Sequence, residues 1–457
     1  MFKTWNVLIV LAVITAVAGG SLADSEADLA RENAELRKRV DALEKEMQML
    51  KQMVMQNAKA QHRQARTAKA SAAVEPQFSK EEYEKLQAML AKGSSGKGKV
   101  WTSDLDIQLY GYIKLDASYD DSRTTTGNYV KWVDSEASGN NDNEFNITAR
   151  QTRLGLNIAG PLQDGLKTSG KVEIDFYGGT AENKPEPMLR HAYMKLDWPE
   201  KRFDIIAGQT WDVISPLNPS TLNYSVAWWA GNIGYRRPQL RLTKGFEVNK
   251  DVDIKLEGAL ARAIGDDELS STAGAKSGED AGFPIIQARA SVTAPMFGYK
   301  PATVGFSGHW GEEEYGSKDV DTWSVNLDYS QPVNEWLTVK GELFTGENLD
   351  AYLGGIGQGV NTSASNRAIG SKGGWVAASL GPWDKWRFNT GFSVDEVDDA
   401  DVDAGDRTLN RSIFANMIYA FNKNTEMGLE LSQWHTERKN TRDSDSLRVQ
   451  TSFVYKF

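Results

Sequence analysis

A chain of 457 residues with net charge -10 and no clustered excess of Lys and Arg lacks the cationic surface that nucleic-acid phosphates demand, so no nucleic-acid partner is expected. It has no cysteine, which removes disulfides, thiolate metal sites and cysteine nucleophiles together. Beyond the first residues no apolar run approaches the roughly 18 residues of a membrane helix, while 41 Gly, 14 Trp, 15 Tyr and 16 Phe suit many twisted strands with aromatic belts.

Residues 1–23 read as an export signal. Lys3 gives the basic start, residues 7–18 the apolar stretch, and Ser21-Leu22-Ala23 a small-x-small cleavage site. Over residues 24–57 leucine then returns every seventh residue at Leu29, Leu36, Leu43 and Leu50, with Asn33, Val40, Met47 and Val54 on the alternate seam position. Flanking charges pair at the offset of parallel helices, Glu32 with Arg37, Arg39 with Glu44 and Glu46 with Lys51, which predicts a self-associating coiled coil in the periplasm. Branched seam residues, the leucines and a buried Asn33 lean by themselves toward two strands.

Residues 58–100 lose the heptad and read as a linker with one short helix over 80–91, where Ser79 and Glu82 fit a capping box. Residues 93–99 copy phosphate-loop spacing, but Val100 stands where Ser or Thr would ligate magnesium, so a flexible tether is the better account.

From Leu105 the hydrophobic period becomes two. Ile107, Leu109, Ile113 and Leu115 alternate with Gln108, Tyr110, Tyr112, Lys114 and Asp116, and the same dyad recurs to the end of the chain. Short turns near 160–165, 198–201, 331–335, 381–385 and 422–424 alternate with long polar loops at 121–148, 265–282, 347–372, 396–408 and 436–445. Such alternation predicts an all-β transmembrane barrel over residues 101–457, with about sixteen antiparallel strands, turns in the periplasm and loops outside the cell, preceded by the α-helical coiled coil. Leu447, Val449, Phe453, Tyr455 and Phe457 share one face of the last strand. Its aromatic end, Phe453, Tyr455 and Phe457, looks like the signal read by the barrel-assembly machinery.

A barrel this wide needs an inward loop to narrow it. Residues 211–235 fit that role, because Trp211, Tyr224, Trp228 and Trp229, with Pro216, Pro219 and the single charge Asp212, are too apolar for a solvent-facing loop. The lumen and a subunit contact both remain open as its place. Sending Leu154, Leu240, Ala288, Phe388 and Val449 to lipid sends Arg153, Arg237, Arg241, Arg289, Arg387 and Arg448 inward, with Asp116, Glu173, Asp175, Asp253, Glu257 and Glu342. An arginine sector of this kind would hold small anionic solutes by two-pronged contacts; the alternative is a wall of mutually paired charges.

Tyr110-Gly-Tyr-Ile-Lys114, Arg150-Gln-Thr-Arg-Leu154, Gly208-Gln-Thr-Trp211 with its Pro-rich stretch, the Leu heptads and the terminal Phe457 together resemble the DcaP-type trimeric outer-membrane porins. The resemblance spans nearly the whole mature chain. It implies a homotrimer set in outer-membrane lipids and lipopolysaccharide, no cofactor, and uptake of dicarboxylic acids. On this point the barrel, with its larger contact area, outweighs the two-stranded leaning of the heptads. The aromatic loop departs from the family's anionic-solute pattern and leaves a sugar-stacking pore open.

A barrel enzyme finds little support. Four His residues (His62, His191, His309, His435) and no Gly-x-Ser-x-Gly elbow are present, and Ser432 near His435 lacks a third partner, so no catalytic residue is assigned. Asp399, Asp401, Asp403 and Asp406 lack the Gly and final Glu of a calcium loop, so no metal is assigned. A cell-envelope tether gripping peptidoglycan through the coiled coil is a third reading. Because the coiled coil lies outside the lumen in the porin reading, deleting residues 25–99 behind an intact signal is expected to leave unit conductance in planar bilayers nearly unchanged. Loss of conductance would place that segment in the pore.

Overall fold

In β1 (Leu105–Asp120), Ile113, Leu115 and Tyr119 stand exposed on one face while Lys114, Asp116 and Asp120 are buried on the other, as the twofold period of a strand requires. The last strand, β16 (Ser444–Lys456), repeats the pattern with Leu447, Val449, Phe453 and Tyr455 outward and Arg448, Gln450 and Ser452 inward. The apolar face is therefore the outer one. This geometry comes from a computed structural model that describes residues 99–102, 105–136, 139, 142–179, 184–265, 278–279 and 281–457. The signal, coiled-coil and linker assignments lie outside the described residues, apart from the linker's last two positions.

Between these two strands the wall continues through β2 (two segments, Glu144–Thr148 and Arg153–Gln163), β3 (Leu166–Asp175), β4 (Met188–Trp198), β5 (Phe203–Trp211), β6 (Arg236–Asn249), β7 (Val252–Ala261) and β8 (Ile285–Ala294). It goes on through β9 (Ala302–Tyr315), β10 (Lys318–Pro332), β11 (Leu337–Glu347), β12 (Gly370–Trp383), β13 (Trp386–Val397), β14 (Arg407–Ala420) and β15 (Thr425–Arg438). Each strand pairs antiparallel with its chain neighbour, and β16 returns to β1 from Tyr112↔Lys456 to Asp120↔Arg448, closing the sixteen-stranded barrel that the dyad predicts. A further short strand, Lys99–Thr102, pairs with the start of β1. No helix among the described residues is long and apolar enough to cross a membrane.

The connections at one end are tight. Asp164 and Gly165, at φ 51° and 77°, form the two-residue turn whose left-handed backbone matches the twist of its strands, joining Gln163 to Leu166. At this end the aromatic rings gather into a belt, with Trp336 5.7 Å from Trp383, Trp386 4.8 Å from Tyr419, and Tyr419 5.2 Å from Phe421. The opposite end carries the long loops, with two exceptions. The strands reach into the loop expected at 436–445 and leave only 439–443 between β15 and β16. β9 and β10 meet across Gly316 and Ser317 alone and extend as a long hairpin instead.

The seam depends on one close approach. Gly111 and Phe457 exchange both backbone hydrogen bonds, at 3.2 and 3.1 Å, and a Cβ at Gly111 would lie 2.2 Å from the Arg153 carbonyl oxygen and 3.1 Å from the Phe457 ring. Gly111→Val is therefore expected to lower the fraction of heat-modifiable barrel on unboiled gels several-fold. Gly282→Val, where a Cβ would meet nothing within 4 Å, is the control that should not change it.

Candidate functional site

Residues 212–235, between β5 and β6, have no strand to pair with, so their backbone groups must find partners elsewhere. The loop is pinched at its base, where Asp212 N–H donates to the Tyr235 carbonyl (2.8 Å) and Tyr235 N–H to Asp212 Oδ2 (2.9 Å). From there it is held by side chains of the far wall. Gln287 of β8 accepts from Val213 N–H (2.8 Å), Glu342 of β11 from Leu217 N–H (2.7 Å), and Glu430 of β15 from Leu222 N–H (2.6 Å) and Asn223 N–H (3.3 Å). The carbonyls are served likewise: Lys114 and Gln450 donate to Leu222 O (3.0 and 3.1 Å), Asn416 to Ser220 O and Asn410 to Trp229 O (both 2.8 Å). Partners on β1, β8, β11 and β14–β16 mean that the loop crosses the interior. Gly231, at φ 113°, lies close against the wall, since a Cβ there would lie 2.3 Å from Gly374 O.

Two further loops fold inward, where the sequence pattern places polar loops outside the cell. Residues 348–359 bury Leu349, Tyr352 and Ile356, with Leu353 O and Tyr352 O each accepting at 2.7 Å from Trp229 and Gly234 N–H. Residues 121–136 bury Val130, Trp132 and Val133, and Val133 N–H reaches Thr436 Oγ1 at 3.0 Å. The apolar positions inside these polar stretches are the signal that was available.

The six arginines expected inward have different surroundings. Arg448 holds both oxygens of Asp120 (3.1 and 2.8 Å), and Arg289 takes Asp328 at 2.9 and 2.7 Å and Glu257 at 2.9 Å. Arg387 pairs with Glu426 at 2.6 Å. Arg237 is 0% exposed beneath the loop, its Nε 2.8 Å from Asp212 Oδ1 and its guanidinium 3.9 Å from the Tyr352 ring, which makes it an anchor of the loop and not an open pore contact. Arg241, half-buried, donates to the Trp211 carbonyl and, from Nε, to Gln239 (3.0 Å). The pair of neighbouring forks expected of Arg237 and Arg241 is thus committed to the loop base. Arg153 is half-buried, 3.6 Å from Glu173 and 5.2 Å from the Tyr112 ring.

The loop rings meet the β2–β4 side instead. Tyr224 stacks on Tyr177 at 3.9 Å, Trp228 lies 6.0 Å from Tyr224 and 5.9 Å from Trp211, and Trp229 lies 6.1 Å from Tyr129. Cations cap these rings: Arg150 over Tyr177 (4.8 Å), Arg190 over Trp211 (5.9 Å), Arg236 over Trp211 (4.6 Å), Lys131 over Trp229 (4.9 Å) and Arg407 over Trp132 (3.8 Å). Burial pushes the Tyr177 and Tyr224 phenols up, so both stay neutral. Sequence reasoning missed Arg150, Arg190 and Arg236. Arg150 stands where β2 breaks at residues 149–152, a bulge that sorting by alternation cannot see, although it opens the Arg150-to-Leu154 motif.

This frame has known relatives. Residues 81–277 match the family model described as DcaP outer membrane protein. The resemblance to the DcaP proteins holds. The outer membrane channel DcaP of Acinetobacter baumannii shares 19% identity at TM-score 0.65, over 78% of this chain and 99% of that one. The anion-selective porin from Comamonas acidovorans gives 13% identity and TM-score 0.51 over 77% of this chain and 100% of that one. Salmonella typhi OmpF in complex with daunomycin gives 12% and 0.51 over 79% and 100%. At such identities these structures show a shared porin fold. No curated protein matches.

Ser432 and His435 face opposite sides of the wall, Ser432 inward to Trp434 Nε1 (3.0 Å) and His435 outward to Asp445 (2.9 Å). Among the described residues no cluster of His, Asp and Glu is placed to hold a metal. Glu430→Ala, which removes the acceptor of two loop N–H groups, is expected to raise single-channel conductance and its noise, and deleting residues 212–235 to raise conductance several-fold. Arg237→Ala, by stranding buried Asp212, should cost about 3 kcal/mol in urea unfolding.

Proposed function

We propose that the chain is an outer-membrane porin through which small anionic, dicarboxylate-like solutes diffuse passively, narrowed by residues 211–235. The observation that carries this reading is the excess of guanidinium along the β2–β6 side of the loop. Arg190 takes Glu173 (2.8 Å) and Asp175 (2.7 Å), and Arg153 has only a 3.6 Å approach to the same Glu173. Asp212 is used by Arg237, and among the described residues Arg236 has no hydrogen-bond partner. The protein's net charge of -10 does not oppose it. Permeation responds to charges within a Debye length, about 8 Å at physiological salt, so distant acidic loops count for little. Half-buried Arg153 is the proposed pore contact from the expected set, whereas Arg237 and Arg241 hold the loop base and Arg289, Arg387 and Arg448 serve as paired wall charges. No catalytic step and no cofactor is required.

A sugar pore would use the same aromatic row. Ring faces are what a sugar needs, however, and here guanidinium and ammonium groups lie over those of Tyr177, Trp211 and Trp229. The homotrimer, its surround of lipid and lipopolysaccharide, and delivery by the barrel-assembly machinery through Phe453, Tyr455 and Phe457 are proposed with this function; Phe453, Tyr455 and Phe457 do lie exposed on the outer face.

In a salt gradient the wild-type reversal potential should report anion preference, and Arg153→Gln with Arg190→Gln should shift it toward cations. If that shift is absent and maltooligosaccharides block the current, the pore is a sugar track. A barrel that conducts nothing would favour the envelope tether.

A further inference from the structure

Arg236, the first residue of β6 after the loop crossing, has an environment unlike that of the other arginines. It is 2% exposed, and among the described residues Nε, Nη1 and Nη2 all lack a hydrogen-bond partner. Its guanidinium lies 4.6 Å from the Trp211 ring centroid, 4.7 Å from Tyr235 and 5.8 Å from Trp228. Ring faces offset part of the desolvation of a buried cation, but they accept no directional N–H bond, so all of its hydrogen-bonding capacity remains unused.

Among the described residues Trp228 Nε1, on a ring 5.8 Å from that guanidinium, is likewise buried without a partner. Arg190 adds positive charge 5.9 Å from the same Trp211 ring, while its own nitrogens hold Glu173 (2.8 Å) and Asp175 (2.7 Å). A buried indole N–H and guanidinium without acceptors carry a cost that an acceptor would remove. Trp211 and Tyr235 are half-buried and form the more accessible side of the cage.

We propose that Arg236, with Trp228 Nε1–H, forms a subsite that holds one carboxylate of a permeating solute against the rings, making passage saturable. The proposal rests on the anion-porin reading and deepens it. Planarity is the reason for a carboxylate: a guanidinium fork matches two coplanar oxygens. No covalent step is involved.

The test uses the full-length protein in planar bilayers, with succinate as probe and dimethyl succinate as its uncharged counterpart. Succinate should interrupt the wild-type current in a saturable manner and the diester should not. Arg236→Gln should raise the half-blocking concentration by at least about tenfold, the loss expected for hydrogen bonds to a charged group. Arg236→Lys, which keeps a point charge without the fork, should raise it by a smaller factor, and Trp228→Phe, which removes only the N–H, by a few-fold. If Arg236→Gln does not give a heat-modifiable barrel, the Lys and Phe variants carry the test. Unchanged block in the folded variants, with wild-type anion preference intact in the salt gradient, overturns the subsite and leaves the porin reading standing. Absence of wild-type anion preference overturns the reading itself.

Discussion

Every backbone N–H and C=O placed where water is scarce must have a partner, and in this molecule that requirement is met in two ways. In the wall the strands satisfy one another, and the pairing of β16 with β1 leaves no edge exposed. Inside the barrel residues 212–235 have no such neighbour, and the wall lends them its side chains. Glu342 and Glu430 are buried because a carboxylate can accept the N–H groups of a crossing loop without a sheet, and Asn410, Asn416 and Gln450 do the same for its carbonyls.

This use of the inner wall reorganises its charge. Arg448, Arg289 and Arg237 point inward but are tied to Asp120, Asp328 and Asp212, so they act as struts. The cations that remain beside the aromatic row lie on a narrower front, between the loop and β2–β4. Charge spread evenly round a wide lumen would select weakly; charge confined to the narrow side of a constriction, close to any passing solute, selects more strongly.

The legible part of the fold followed from the strand period. A dyad tells which face of a strand meets lipid, and the outward exposure of Leu109, Leu154, Leu240 and Leu447 together with the closed count of wall strands agrees with it. Parity does not tell what stands opposite. Asp120 and Arg448 are 328 residues apart in sequence, so their pairing appears only once the barrel closes. Arg236 was invisible for a related reason: at the mouth of β6 the loop covers both Arg236 and Arg237, and alternation admits only one of them. The inward folding of residues 121–136 and 348–359 was masked by polar composition, since a handful of apolar residues such as Trp132 and Tyr352 decides it.

The absence of cysteine makes the central claim, that solutes pass beside the loop on its cationic side, directly measurable by single-cysteine scanning. Tyr112→Cys and Tyr177→Cys, half-buried in the wild type, should lose current on exposure to a sulfonate-bearing methanethiosulfonate, and faster than to its trimethylammonium analogue. Leu109→Cys, on the outer face, should be indifferent to both. Equal or cation-favouring rates at the two inner positions, or no loss of current there, would contradict the account.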